Sequence, residues 1–178
     1  KRWEMYGADN TNVGSAPVDT TYTYGDWAHV AIVKTGGYLK LYVNGKEVLS
    51  GADSRDYSGY QSLGLGCAYS HNYSFNGRLS NFKYTKGQAL YTSNFTPSNQ
   101  PLTTTSQGST ASNVKILCCN NSSVTGATVA AGSLSTSGTV TASQVSPLFP
   151  DLESFQFGEG GDQNIVATGS YMGNGSTG

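Results

Sequence analysis

The sequence predicts an all-β, antiparallel fold, and three observations carry that expectation. Charged residues make up only 12% of the chain, while glycine (23 residues) and tyrosine (12 residues) are abundant. With much Ser, Thr and Asn, that mix suits strands joined by tight turns rather than helices. Apolar residues alternate with others through Trp27–Lys34 and Tyr38–Asn44, the period of a strand with one buried face. Gly36-Gly37 and Asn44-Gly45 follow those runs, and both dipeptides accept the positive φ of a two-residue hairpin turn.

Each element follows in order. Trp3–Tyr6 is a short strand candidate, and Asp9-Asn10-Thr11-Asn12 is a turn. Within Trp27–Lys34, Val30 and Ile32 share one face, and His29, Ala31 and Val33 share the other. In the next strand Leu39, Leu41 and Val43 point one way; Tyr38, Lys40, Tyr42 and Asn44 point the other. Val48 and Leu49 begin the returning strand, which completes an antiparallel meander. Leu63–Gly66 seeds a further strand, residues 69–76 form an aromatic, polar loop, and Arg78–Thr85 is a strand closed by Lys86-Gly87. Leu90-Tyr91, Phe95-Thr96-Pro97 and Pro101 read as an extended, proline-bounded exit. Residues 1–101 are therefore taken as one module.

Composition shifts at about residue 102. Residues 103–147 are rich in Ser and Thr, with Lys115 as the only charge. Such a stretch can be a linker, but Val114–Cys119 is too apolar for one and is expected to pair with a sheet. Val129 and Gly138–Thr141 are weaker strand candidates. Residues 148–178 read as a linker and the start of a further module, with a short strand at Asn164–Thr168.

Specific motifs narrow the class. Trp27-Ala28-His29-Val30-Ala31 and Leu41-Tyr42-Val43-Asn44-Gly45-Lys46 resemble the W-x-H-V-A … L-x-V-N-G signature of concanavalin A-like domains, the laminin-G and pentraxin relatives included. Phe75-Asn76-Gly77-Arg78-Leu79-Ser80-Asn81-Phe82-Lys83-Tyr84-Thr85-Lys86-Gly87 resembles F-x-G-x-I-D-D-F-R-I-T-K-G. Gln88–Pro97 matches an A-x-Y-T-x-N-F-T-P coda. This combination is similar to laminin-G-like modules in virion proteins of tailed bacteriophages of the marine and cyanophage type. The resemblance implies a jelly-roll-type β-sandwich whose N-terminal half is missing here, or is supplied by other segments or chains. It also implies calcium by family analogy only; Ser80 and Asn81 replace the pattern's two acids, so no metal ligand is assigned.

Several function classes are excluded. A net charge of −1 with no basic run leaves no electrostatic footprint for nucleic acid. No signal segment and no membrane-spanning run is found. Cys67, Cys118 and Cys119 are an odd set. On a strand Cys118 and Cys119 point to opposite faces and a disulfide between them is strained, so the expectation is three reduced, partly buried thiols. A retaining glycosidase needs two carboxylates about 5 Å apart, and the E-x-D-x-x-E run of the resembling glucanases is absent. Asp53 and Asp56, like Asp151 and Glu153, are expected as solvated turn carboxylates. His29 is expected to pack or to bond backbone, and no triad motif surrounds it. Five N-x-[ST] triplets, at Asn72, Asn94, Asn120, Asn121 and Asn174, are what such a composition gives by chance.

The positive candidate is a surface. Asp56, Tyr57, Tyr60, Tyr69, His71, Asn72 and Tyr73 crowd into loops, and aromatic faces with amide or carboxylate groups are the means of stacking on sugars and bonding their hydroxyls. The competing reading is that these tyrosines cover a low-charge surface or pack on a neighbouring subunit. The expectation is a non-catalytic virion structural or adhesion protein: a tail fibre, appendage or capsid decoration. It makes contacts with other virion subunits as a homo-oligomer, a trimer if a fibre, with weak host-glycan binding and without nucleic acid, membrane insertion or cofactor. Its location is the virion, assembled in the host cytoplasm. The alternatives are a carbohydrate-binding module or bacterial surface adhesin, and last a glycosidase.

Overall fold

A computed structural model describes residues 2–7, 9–18, 22–23, 25–59, 62–67, 74–148, 154–157 and 164–168. Among them, every regular element is a strand apart from 3-10 turns at Ser106–Gly108 and Ala111–Asn113, and all the pairings are antiparallel. The chain is all-β, as predicted. It divides into two compact units, Lys1–Asp56 with Ala89–Ser98, and Tyr57–Gln88 with Asn99–Gly178.

In the first unit β1 (Arg2–Tyr6) pairs with β2 (Asn12–Pro17). β2 carries little apolar alternation and is not predicted from sequence; its ladder to β1 makes it a strand. β3 (Val30–Thr35), β4 (Tyr38–Val43) and β5 (Lys46–Ala52) form the meander, with β4 central. Gly36 and Gly37 (φ 56° and 76°) make the first turn, and Asn44 and Gly45 (φ 49° and 81°) the second. Leu39, Leu41 and Val43 of β4 are buried with Met5 of β1 and Leu49 of β5. Burying such side chains stabilises by roughly 1.5–3 kcal/mol each. β3 starts at Val30 rather than Trp27. Asn44 leaves the extended region, so the His29 N–H finds the Asn44 side-chain Oδ1 (2.9 Å) in place of a ladder carbonyl.

The second unit has three three-stranded sheets. β6 (Ser62–Leu65), β7 (Gly77–Leu79) and β8 (Phe82–Thr85) each stand at the edge of a different one. β9 (Val114–Cys118) lies between β8 and β10 (Ala127–Ala130). β14 (Asn164–Thr168) lies between β6 and β11 (Ser133–Ser137), and β13 (Ser154–Phe157) between β7 and β12 (Val140–Ser143). Residues 114–168 thus supply the ladder partners of every strand in 62–85. Of the strand candidate Gly138–Thr141, Val140 and Thr141 begin β12, while Gly138 (φ 70°) belongs to the reversal between β11 and β12. Leu65, Ile116, Cys118, Cys119 and Phe157 form the buried cluster. Gly66, at φ 77°, lets the Phe157 ring close on the backbone, since a Cβ there would come within 2.5 Å of it.

Candidate functional site

Of the seven residues predicted to bind a glycan, the structure describes two. Asp56 is exposed and ends the first unit; Tyr57 is half-buried and begins the second. Tyr60, Tyr69, His71, Asn72 and Tyr73 lie outside the described residues, and so do the carboxylates Asp151 and Glu153.

The signature residues of the first unit interlock. The His29 carbonyl accepts from the Asn44 N–H (2.8 Å). The Gly45 carbonyl accepts from the Phe95 N–H (2.9 Å), and the Glu47 N–H donates to Asn94 Oδ1 (2.9 Å). Tyr91 stacks on Phe95 with ring centroids 3.7 Å apart, and the His29 ring meets Phe95 edge-on at 5.4 Å. Tyr42, fully buried, packs on Phe95 at 5.6 Å. The segment expected as an extended exit is therefore docked on the Asn-Gly turn. A Cβ on Gly45 would meet the Phe95 carbonyl oxygen, so that turn needs glycine for both φ and space. Burial lowers the His29 pKa, and the ring packs edge-on against the stacked pair of Tyr91 (6.1 Å) and Phe95 (5.4 Å).

Asp53 corrects the expectation of a solvated turn carboxylate. It is 1% exposed. Its Oδ1 accepts from Arg55 Nη1 (2.9 Å), its Oδ2 lies 3.4 Å from Lys34 Nζ, and its N–H donates to the Gly37 carbonyl (2.8 Å). Arg55 also binds Asp9 through Nε (2.6 Å) and holds the Asp9 carboxyl below the usual carboxylate range. The network ties the end of β5 to β3 and to the β1–β2 turn. The signal in sequence was a base two residues after the acid; past the end of β5 the Arg55 N–H also donates to Asp53 Oδ1 (3.2 Å), which brings the two side chains together.

The second unit solvates a charge differently. Lys83 Nζ lies 2.7 Å from the Ser106 carbonyl, 3.1 Å from Ser106 Oγ, 3.2 Å from Gln107 Oε1 and Ser109 Oγ, and 3.4 Å from the Thr103 carbonyl. Cys118 and Cys119 correct a second expectation. Cys119 has φ 61°, so the pair leaves strand geometry, and both thiols turn into one buried cluster with sulfurs 3.5 Å apart. The residues at the calcium-analogy position do not fit that metal. Asn81 is a left-handed turn residue (φ 60°) whose N–H donates to the Cys119 carbonyl (2.9 Å). Two neutral side chains there replace the carboxylates that calcium takes. No group of three or more metal-ligating side chains converges among the described residues.

One apolar surface stands out in the first unit. Val30 lies opposite Val43 and Ile32 opposite Leu41, so all four share the core-side face. Leu41 and Val43 are buried, yet Val30 is 49% and Ile32 64% exposed. β3 is one of the two edge strands of its sheet.

No curated protein and no solved structure matches the chain. Residues 1–91, just over half of its length, match the family model of the concanavalin A-like lectin/glucanases superfamily. The interlocked His29, Asn44 and Gly45 lie within that match, and the chain belongs to the concanavalin A-like lectin/glucanases superfamily, in its laminin-G-like group.

Proposed function

We propose that this chain is a non-catalytic structural and adhesion module of a tailed-phage virion, self-associating into a homo-oligomer within a fibre, appendage or capsid decoration. The observation that carries the reading is the β3 edge, where Val30 and Ile32 continue the buried layer of β4 into solvent. An exposed apolar face on an edge strand is a ready surface for another copy, and natural proteins ordinarily blunt such edges with charge. Support for the virion setting comes from the Phe75–Gly87 and Gln88–Pro97 motifs. Support for a non-catalytic role comes from Asp53, whose carboxylate is committed to Arg55 and Lys34. The family's description includes lectins, and weak glycan recognition through the tyrosine loops becomes useful when copies are displayed together.

The experiment is a sedimentation series on wild type and Ile32→Lys. Concentration-dependent oligomers in wild type, lost in the folded variant, are expected; a wild type monomeric at all concentrations overturns self-association. Mass spectrometry of purified particles tests the setting, and absence of the chain from particles removes it. A glycan array with Tyr69→Ala and Tyr73→Ala tests recognition: specific hits lost in both variants are expected, and no hits leave assembly as the whole role.

A further inference from the structure

We propose that Cys118 and Cys119 are a closable vicinal dithiol, a modification site that small disulfides convert to an intramolecular disulfide as the second unit folds. Neighbouring side chains on a regular strand diverge. Here β9 ends at Cys118, and Cys119 takes φ 61°, a conformation that L residues avoid and that costs on the order of 1–3 kcal/mol. The outcome of that turn is a sulfur–sulfur distance of 3.5 Å, against about 2.0 Å in a disulfide.

The surroundings hold the pair in place. The Asn81 N–H donates to the Cys119 carbonyl (2.9 Å). Leu65, Ile116 and Phe157 share their buried cluster, and both cysteines are 0% exposed. Cys67 is half-buried, with its sulfur against Gly64. The bond with the Cys118 thiol, and then burial, push the Cys119 pKa well up. The closed unit therefore exchanges slowly at neutral pH, and exchange proceeds while β9 is still open.

The step balances through an external disulfide of the glutathione type. One cysteine thiolate attacks it, forming a mixed disulfide and expelling one glutathione thiolate. The second cysteine then attacks its neighbour's sulfur and expels the other. Two S–H bonds and one external S–S bond break. One vicinal S–S bond forms, the protein is oxidised by two electrons, and two glutathione thiols are produced.

The test is refolding of wild type and Cys67→Ser in a buffer with oxidised glutathione in excess over reduced, followed by intact-mass and peptide mapping. The expected product has lost the mass of two hydrogen atoms within the single peptide carrying Cys118 and Cys119, and dithiothreitol restores it. Cys118→Ser abolishes that loss. Closure is expected to be several-fold higher in refolded protein than in the same buffer with urea; equal closure overturns the role of the fold. Wild type is decisive without any substitution: a bridge from Cys67 to either neighbour, or stable glutathione adducts on the pair, overturns the proposal. Refolded protein with both thiols free throughout the redox series does so as well.

Discussion

The two units neutralise a charged group in opposite ways. In the first, Asp53 is 1% exposed and is met by full charges, Arg55 at 2.9 Å and Lys34 at 3.4 Å. In the second, the Lys83 ammonium meets only neutral oxygens, five of them within 3.4 Å, contributed by residues 103–109. The difference follows from local composition. The first unit has ionic side chains at the ends of β3 and β5, while residues 103–109 contain no charge and must solvate with carbonyls and hydroxyls. The lesson is that a Ser/Thr-rich stretch can fold as an ion's coordination shell. Its polar groups are then a reason for order, where composition alone suggests a linker.

The most damaging way to break the comparison is at Asp53. Asp53→Ala removes the shared acceptor of Arg55 and Lys34, and leaves a buried space flanked by two cations. A loss on the order of 3 kcal/mol in urea unfolding is expected. Asp53→Asn keeps an acceptor for the Arg55 backbone N–H, which now donates to Asp53 Oδ1 at 3.2 Å, so it should lose less. An Asp53→Ala protein as stable as wild type would show that the ion pairs add nothing to what packing already supplies.

Next in size is Lys83→Met. The methionine keeps the stem of the side chain but strands the carbonyls and hydroxyls that face the ammonium, so about 1–3 kcal/mol is expected to be lost. Hydrogen exchange should rise in residues 103–110, where the Thr103, Ser106 and Ser109 side chains also bond one another's backbone. Unchanged exchange in that segment would mean that its own turns hold it without the lysine.

How much of this was legible in the sequence differs between the units for a physical reason. Alternation of period two and the two left-handed reversals placed β3 and β4 to within a few residues and identified Leu39, Leu41 and Val43 as core. Those signals are local. β2 and β11 carry weak alternation, and β13 alternates over only four residues, Ser154–Phe157; they exist because a partner strand offers its ladder, which no window of sequence contains. The motif residues were recognised as a pattern, but their mutual geometry was not: the coda closes on Gly45 from a distance of some fifty residues along the chain. Cys119 and Asp53 were misread through local rules. The strand rule fails where Cys119 turns left-handed, and the turn rule fails where Arg55 and Lys34 converge on Asp53. Of the predicted glycan residues, Asp56 is exposed and Tyr57 half-buried; solvent access is necessary for binding, and it is a weak discriminator because most loop residues have it.

The finest test separates ionic from dipolar solvation by salt and acid. Asp9 is 55% exposed on its side chain and meets Arg55 Nε at 2.6 Å, so Asp9→Asn should destabilise only slightly at pH 7. That small difference from wild type should vanish as salt is raised, because exposed pairs are screened, while the Lys83→Met loss should persist in the same salt series. Acid gives an independent reading. Asp9 titrates lower in the folded protein than its ordinary 3.8, mainly through its bond to Arg55. A depressed acid contributes stability that is fully present above the unfolded value and is lost as pH falls through the folded one. Wild type and Asp9→Asn should therefore differ at pH 7 and converge in the acid range below 3.8. Because the asparagine Oδ1 can still accept from the Thr11 N–H, as Asp9 Oδ1 does at 3.0 Å, convergence with neither salt nor acid would mean that the difference does not come from the Asp9 charge, and that only Asp53 among the two acids is an ionic partner of Arg55.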